Sequence, residues 1–225
     1  MKNSREYSKQ LQKFFRSVKR GHLKVKKVTY DDVTESVVHG IILEDMSESA
    51  VKSAFKKFDN YFVDFNDLRV SRPEEIVEML GEDSPATRQT ASRIGKVLGA
   101  VFRKYNDVNL EVTKKMGKRP AKKFLEKLDG NSRFVVDYCM LTALQGHAIP
   151  LTNKMVEYLK SNELVHPEAD EQEIEGFLTR QISARSAYEF YSLLRREIET
   201  SKKTEEKKTT RKKKTTTRAK TKKKK

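Results

Sequence analysis

Apolar positions recur at helical spacing along most of the first 200 residues, and no stretch keeps a two-residue alternation for long. Leu11, Phe14, Phe15 and Val18 form one such stripe; Val37, Val38, Ile41 and Ile42 form another. Ser47-Glu-Ser marks a helix start that Val51, Ala54, Phe55 and Phe58 continue. Tyr61 to Leu68 reads as an aromatic-rich connection. Ser71-Arg-Pro-Glu-Glu reads as a cap, a first-turn proline and first-turn acids, closed by Gly81. Ile94, Val97, Leu98, Val101, Phe102 and Tyr105 keep a 3.6-residue period within Thr87 to Tyr105. Shorter helices are expected over Pro120 to Lys127, Arg133 to Leu144 and Asn153 to Asn162, with more over Glu171 to Glu199. The pattern predicts an all-α body of eight or so short helices.

The periodicity stops at residue 200. Of 48 Lys and Arg and 32 Asp and Glu, the last 25 residues hold 14 of the bases and 2 of the acids, so +12 of the net +16 sits there. Ala219 is the one apolar side chain in that stretch. Such a composition buries too little surface to offset ordering entropy, so a disordered tail is expected. The expected organisation is a basic N-terminal arm at 1–30, part of it amphipathic helix, a helical domain at 31–200 and a Lys/Thr/Arg-rich tail at 201–225.

Several function classes drop out. The longest apolar run, Val97 to Phe102, is far shorter than a membrane helix, and the basic N-terminus has no apolar core of a secretory signal. The single cysteine, Cys139, leaves no intrachain disulfide framework and no all-cysteine iron–sulfur or zinc site. It reads as a small core residue. His22, His39, His147 and His166 show no metal-ligand spacing, so neither a metal nor another cofactor is expected. The expected setting is cytoplasmic, in association with a nucleoid or chromatin.

The charge points to a polyanionic partner, DNA above all. Lys212, Lys213, Lys214, Lys222 and Lys223 in the tail would release condensed counterions on neutralising phosphates, without reading base sequence. The sharpest local signal is Phe124-Leu-Glu-Lys-Leu-Asp-Gly-Asn-Ser-Arg133. It reads as helix, tight hairpin, helix. Gly130, Asn131 and Ser132 would turn backbone N–H groups toward one phosphate at a helix N-terminus, and Arg133 would add a charge-assisted contact. An ordinary helix–loop–helix corner is the alternative. Tyr188, Phe190 and Tyr191 are candidates for stacking on bases, with at least two expected in the core.

The order of these elements, from about Val37 to Arg196, resembles the helix-hairpin-helix DNA glycosylases of the endonuclease III type (HhH-GPD). Leu128-Asp-Gly-Asn-Ser-Arg is similar to that family's Leu-Pro-Gly-Val-Gly hairpin with a basic residue after it. Gly146 to Lys154 is similar to the turn ending in Val-Asp-Thr-His, and Glu171 to Arg196 to the closing helices. The resemblance implies a two-lobed helical scaffold that grips DNA. It also sets Phe134 where bifunctional members carry a lysine nucleophile and Thr152 where the catalytic aspartate stands, with Ser132 at the second hairpin glycine and Lys154 at the histidine. A phenyl ring cannot attack a sugar carbon, and a threonine hydroxyl carries no negative charge at neutral pH. Lys154 and Asp137 are the substitute candidates. The expectation is a largely sequence-independent DNA binder without base excision. The alternatives are a divergent glycosylase or abasic-site lyase of base-excision repair, and a protein-binding use of the same scaffold.

Overall fold

The computed structural model describes residues 4–200. Every regular element among them is a helix. The helices are α1 (Ser4–Gly21), α2 (Val33–Asp45), α3 (Glu48–Tyr61), α4 (Phe65–Val70), α5 (Pro73–Leu80), α6 (Pro85–Tyr105), α7 (Val112–Lys115), α8 (Lys118–Glu126), α9 (Arg133–Thr142), α10 (Asn153–Ser161) and α11 (Glu171–Gln181). A twelfth, α12, runs over 184–200. The expected all-α class is what the chain adopts, with more helices than the apolar periodicity alone indicates.

The extra helix α4 starts at a capping side chain. The expected connection at 61–68 holds the start of α4, because the Asp64 carboxylate accepts from the amides of Asn66 and Asp67, both at 2.8 Å. Ser71 closes α4 rather than opening α5: its hydroxyl donates to Asp67 O at 2.8 Å. Arg72 takes the cap position of α5, with its amide donating to Glu75 Oε2 at 3.1 Å. The stretch from Glu171 divides at residues 182–183.

The chain forms two compact units. One comprises Lys27–Thr152 with Leu178–Tyr188; the other holds Met1–Lys26, Asn153–Phe177 and Glu189–Lys225, described from residue 4 to residue 200. In the first, α2 and α9 pack along each other and are buried almost throughout. Gly40 permits the approach, because a Cβ there would lie 3.2 Å from Tyr138 Cδ1 and 3.3 Å from Val135 Cγ1. Two hydrogen-bonded polar contacts lie inside this core. Ser36 Oγ and Thr142 Oγ1 are 2.9 Å apart, and Thr34 Oγ1 accepts from the Leu110 amide at 3.2 Å. A layer of α4, α5 and α6 packs beside α2, with α3 against α5.

In the other unit, Leu11 and Val18 of α1 are buried, Phe14 meets the Tyr158 ring at 6.1 Å, and Phe15 meets Phe190 edge-to-face at 5.4 Å. The stripe read from the sequence is therefore a packing face. Tyr188, Phe190 and Tyr191 are all buried, so none of the three is presented for stacking on a base.

Candidate nucleic-acid interface

Residues 127–132 join α8 to α9 in the tight turn expected from the sequence. Gly130 has φ +91°, a region open to glycine and costly for other residues. Space is also limiting, since a Cβ there would lie 3.0 Å from Arg93 O and 3.1 Å from both Lys96 Cβ and Val97 Cγ2 of α6. The glycine is thus required twice, by its backbone angle and by the hairpin's contact with α6.

Four side chains hold the turn. The Asn131 amide nitrogen donates to Leu125 O at 2.9 Å, tying the turn to the end of α8. Ser132 caps α9: its hydroxyl accepts from the Val135 amide at 3.2 Å and donates to Glu44 Oε2 at 2.8 Å. Arg93 donates through Nη2 to the same Glu44 oxygen at 2.7 Å, and through Nε to Gly130 O at 3.1 Å. One carboxylate on α2 and one guanidinium on α6 therefore fix both sides of the hairpin. Neither Arg93 nor Glu44 stood out in the sequence, where each is one charged residue among many beside an apolar stripe.

This arrangement leaves two backbone donors of the turn unused. The amides of Gly130 and Ser132 have no acceptor among the described residues. They lie at the N-terminal, positive end of α9, where a bound anion is favoured. Arg133 is exposed just past the turn, and Lys96 is exposed beside it on α6. The structure brings together Gly130, Asn131, Ser132 and Arg133 and adds Lys96. Lys212, Lys213, Lys214, Lys222 and Lys223 lie outside the described residues.

The first turn of α9 carries Phe134, which is 2% exposed. Its ring stacks on Tyr138 at 6.1 Å and 17°, and Tyr138 stacks on His39 at 5.8 Å and 6°. The Tyr138 hydroxyl lies 3.0 Å from the Tyr30 hydroxyl and 3.3 Å from His39 Nδ1. Position 134 is thus the end of an aromatic column that fills space. Asp137, one turn on, is buried, and its carboxylate meets Lys122 Nζ of α8 at 2.8 Å. That pairing ties α8 to α9 and gives Asp137 a structural task. Thr152 is half-buried at the end of the extended segment before α10, and Lys154 is exposed on α10. Burial pushes the Cys139 thiol up to about 12, so it is no nucleophile at neutral pH. Among the described residues, no group of His, Cys, Asp and Glu is arranged to hold a metal ion.

No protein-family model and no curated protein matches the sequence. Solved structures do match. A trapped endonuclease III–DNA covalent intermediate aligns with a TM-score of 0.64 at 15% identity, over 86% of this chain and 85% of the other. An 8-oxoguanine glycosylase/lyase of Clostridium acetobutylicum, in complex with duplex DNA, aligns at 0.66 and 16% identity over 89% and 71%. The 3-methyladenine DNA glycosylase MagIII of H. pylori aligns at 0.60 and 15% identity over 89% and 98%. Helix order, a glycine hairpin pinned ahead of α9 and these alignments converge: the chain has the fold of the helix-hairpin-helix DNA glycosylases.

Proposed function

We propose that this protein binds duplex DNA without reading its sequence, holding a backbone phosphate at the hairpin between α8 and α9, and that it does not excise bases through the groups its fold relatives use. The observation that carries the reading is the hairpin itself. Gly130 sits at φ +91° against α6, the Arg93–Glu44 pair holds it, two amides at the start of α9 have no acceptor among the described residues, and Arg133 is exposed next to them. An anion gains from that dipole and those donors at once. The basic residues 201–225 supply non-specific attraction, which raises local concentration and on-rate.

The absence of base excision rests on Phe134 and Thr152. Phe134 carries no nucleophilic atom and is committed to the stack on Tyr138. Thr152 offers a hydroxyl where charge stabilisation calls for a carboxylate. Asp137 is engaged with Lys122, so it is no free substitute. One cysteine is too few for a four-thiolate iron–sulfur cluster. Work on DNA in the cytoplasm, as part of a nucleoid or on chromatin, suits such a protein.

The test pairs binding with chemistry on two duplexes, one intact and one with a single abasic site. Anisotropy is followed across a salt series and strand cleavage on a denaturing gel, using the full chain and a Lys212, Lys213, Lys214, Lys222, Lys223→Gln variant. The reading expects binding to both duplexes and no cleavage. It also expects the logarithmic salt dependence to flatten by up to about 4 to 5 in the tail variant, at roughly 0.9 per lost contact. Cleavage that disappears on Lys154→Ala would instead make the protein a lyase with a relocated amine.

A further inference from the structure

One face of α1 plays no part in folding its unit. Positions 11, 14, 15 and 18 face inward; 9, 13, 16 and 20 fall within a sector of about 60° on the opposite side, at 100° per residue. Lys9, Lys13, Arg16 and Arg20 occupy that sector, and all four are exposed. They share one face of the helix with Ser8, Gln12 and Ser17. None of the four has an acidic partner among the described residues, and Arg5, also exposed, continues the face toward the N-terminus. The cationic groups nearer the packed side are used differently: Lys19 Nζ meets Glu189 at 2.7 Å, and His22 meets Glu197 at 3.0 Å.

We propose that this face of α1 is a second contact for the phosphate backbone of duplex DNA, an inference that rests on the DNA-binding reading above. Lys9 with Lys13, and Arg16 with Arg20, are like charges one turn apart, an arrangement that opposes the helix unless an anion lies alongside. The four charges span about 16 Å of helix axis, at 1.5 Å per residue, matching about five phosphates of one strand at 3.4 Å of duplex axis each. Two are arginines, whose forked donors suit phosphate oxygens. An anionic membrane fits less well. A helix that lies in a bilayer interface needs free apolar side chains, and in α1 Leu11 and Val18 are buried while Phe14 and Phe15 are packed on Tyr158 and Phe190.

The experiment uses the full chain with Lys9, Lys13, Arg16 and Arg20 changed together to Gln. A charge-matched control changes Lys52, Lys56, Lys57 and Lys160 to Gln, and a half-set changes only Lys13 and Arg16. Binding to an undamaged duplex is measured by anisotropy across a salt series, and circular dichroism melting checks that each variant folds like the wild type. The α1 variant is expected to flatten the logarithmic salt dependence by about 3 to 4 and to weaken binding roughly tenfold or more at moderate salt. The half-set is expected to show about half that change. A control that flattens the salt dependence as much as the α1 variant, or an α1 variant that matches the wild type, overturns the proposal while leaving DNA binding itself standing. A wild-type chain that fails to bind duplex overturns the parent reading instead. Retention on phosphatidylglycerol vesicles that depends on these four residues, with duplex binding unchanged, reassigns the face to a lipid surface.

Discussion

Arg93 of α6 and Glu44 of α2 meet at 2.7 Å, and together they reach both sides of the hairpin at Gly130 and Ser132. The pair is mostly shielded, with side-chain exposures of 15% and 21%. Removing one partner strands the other in a partly dry site. Arg93→Ala and Glu44→Ala are each expected to lower the unfolding free energy by about 1 to 3 kcal/mol, read from urea melts. The double variant is expected to lose less than the sum, because the second change removes a charge already stranded. If the two losses add fully, the pair is not the clamp described.

Glycine position separates two opposite outcomes in one fold. Gly130→Ala forces a Cβ to within 3.0 Å of a backbone oxygen at φ +91°, so a loss of about 2 to 4 kcal/mol is expected. Gly95 lies inside α6 with nothing within 4 Å of an added Cβ, so Gly95→Ala is expected to raise stability by about 0.5 to 1 kcal/mol. Thermal melts of the two variants check both signs. Duplex affinity is expected to fall for Gly130→Ala and to hold for Gly95→Ala.

The buried carboxylate of Asp137 forms an ion pair with Lys122 at 2.8 Å. Lys122→Met is expected to cost about 3 to 5 kcal/mol, because it takes the ion-pair cation away from a buried carboxylate. Lys122→Met with Asp137→Leu is expected to recover much of that, since an apolar pair suits the site between α8 and α9. Equal instability of the single and double variants would show that the ion pair is not what the site depends on.

Cys139 predicts a pH dependence of known sign. Its thiol stays protonated in the folded chain up to about 12, against an ordinary 9.0. The unfolded chain gives up that proton first, so folding stability contributed by this site falls as pH rises above 9.0 toward 12, at about 1.4 kcal/mol per pH unit. Below 9.0 both states keep the proton and the site contributes no slope. In native protein at pH 8, labelling by a thiol reagent is expected to be limited by unfolding, and it is expected to be fast in denaturant. Rapid labelling without denaturant would mean the residue is not sealed in the core.

Much of the helical layout was legible from local signals. Stripes such as Val37, Val38, Ile41 and Ile42 carry their own period, and the glycine-centred turn before Ser132 announces itself by residue type. Short helices were not, because α4 depends on one carboxylate at Asp64 rather than on an apolar stripe. The aromatic triplet at Tyr188, Phe190 and Tyr191 was ambiguous for a related reason: periodicity tells which residues share a face, and burial depends on what packs there.

The chain by itself determined an all-helical body, a glycine hairpin between two helices and a strongly basic C-terminal stretch, because backbone preference, apolar period and charge are properties of neighbours in sequence. Tertiary structure alone decided that Glu44, Arg93 and Gly130, which lie far apart in the chain, form one clamp. It decided too that Phe134 closes an aromatic column with Tyr138 and His39, and that Phe14 and Phe15 pack on Tyr158 and Phe190. Those are relations between segments, set by which surfaces exclude water together, and no local pattern of residues encodes them.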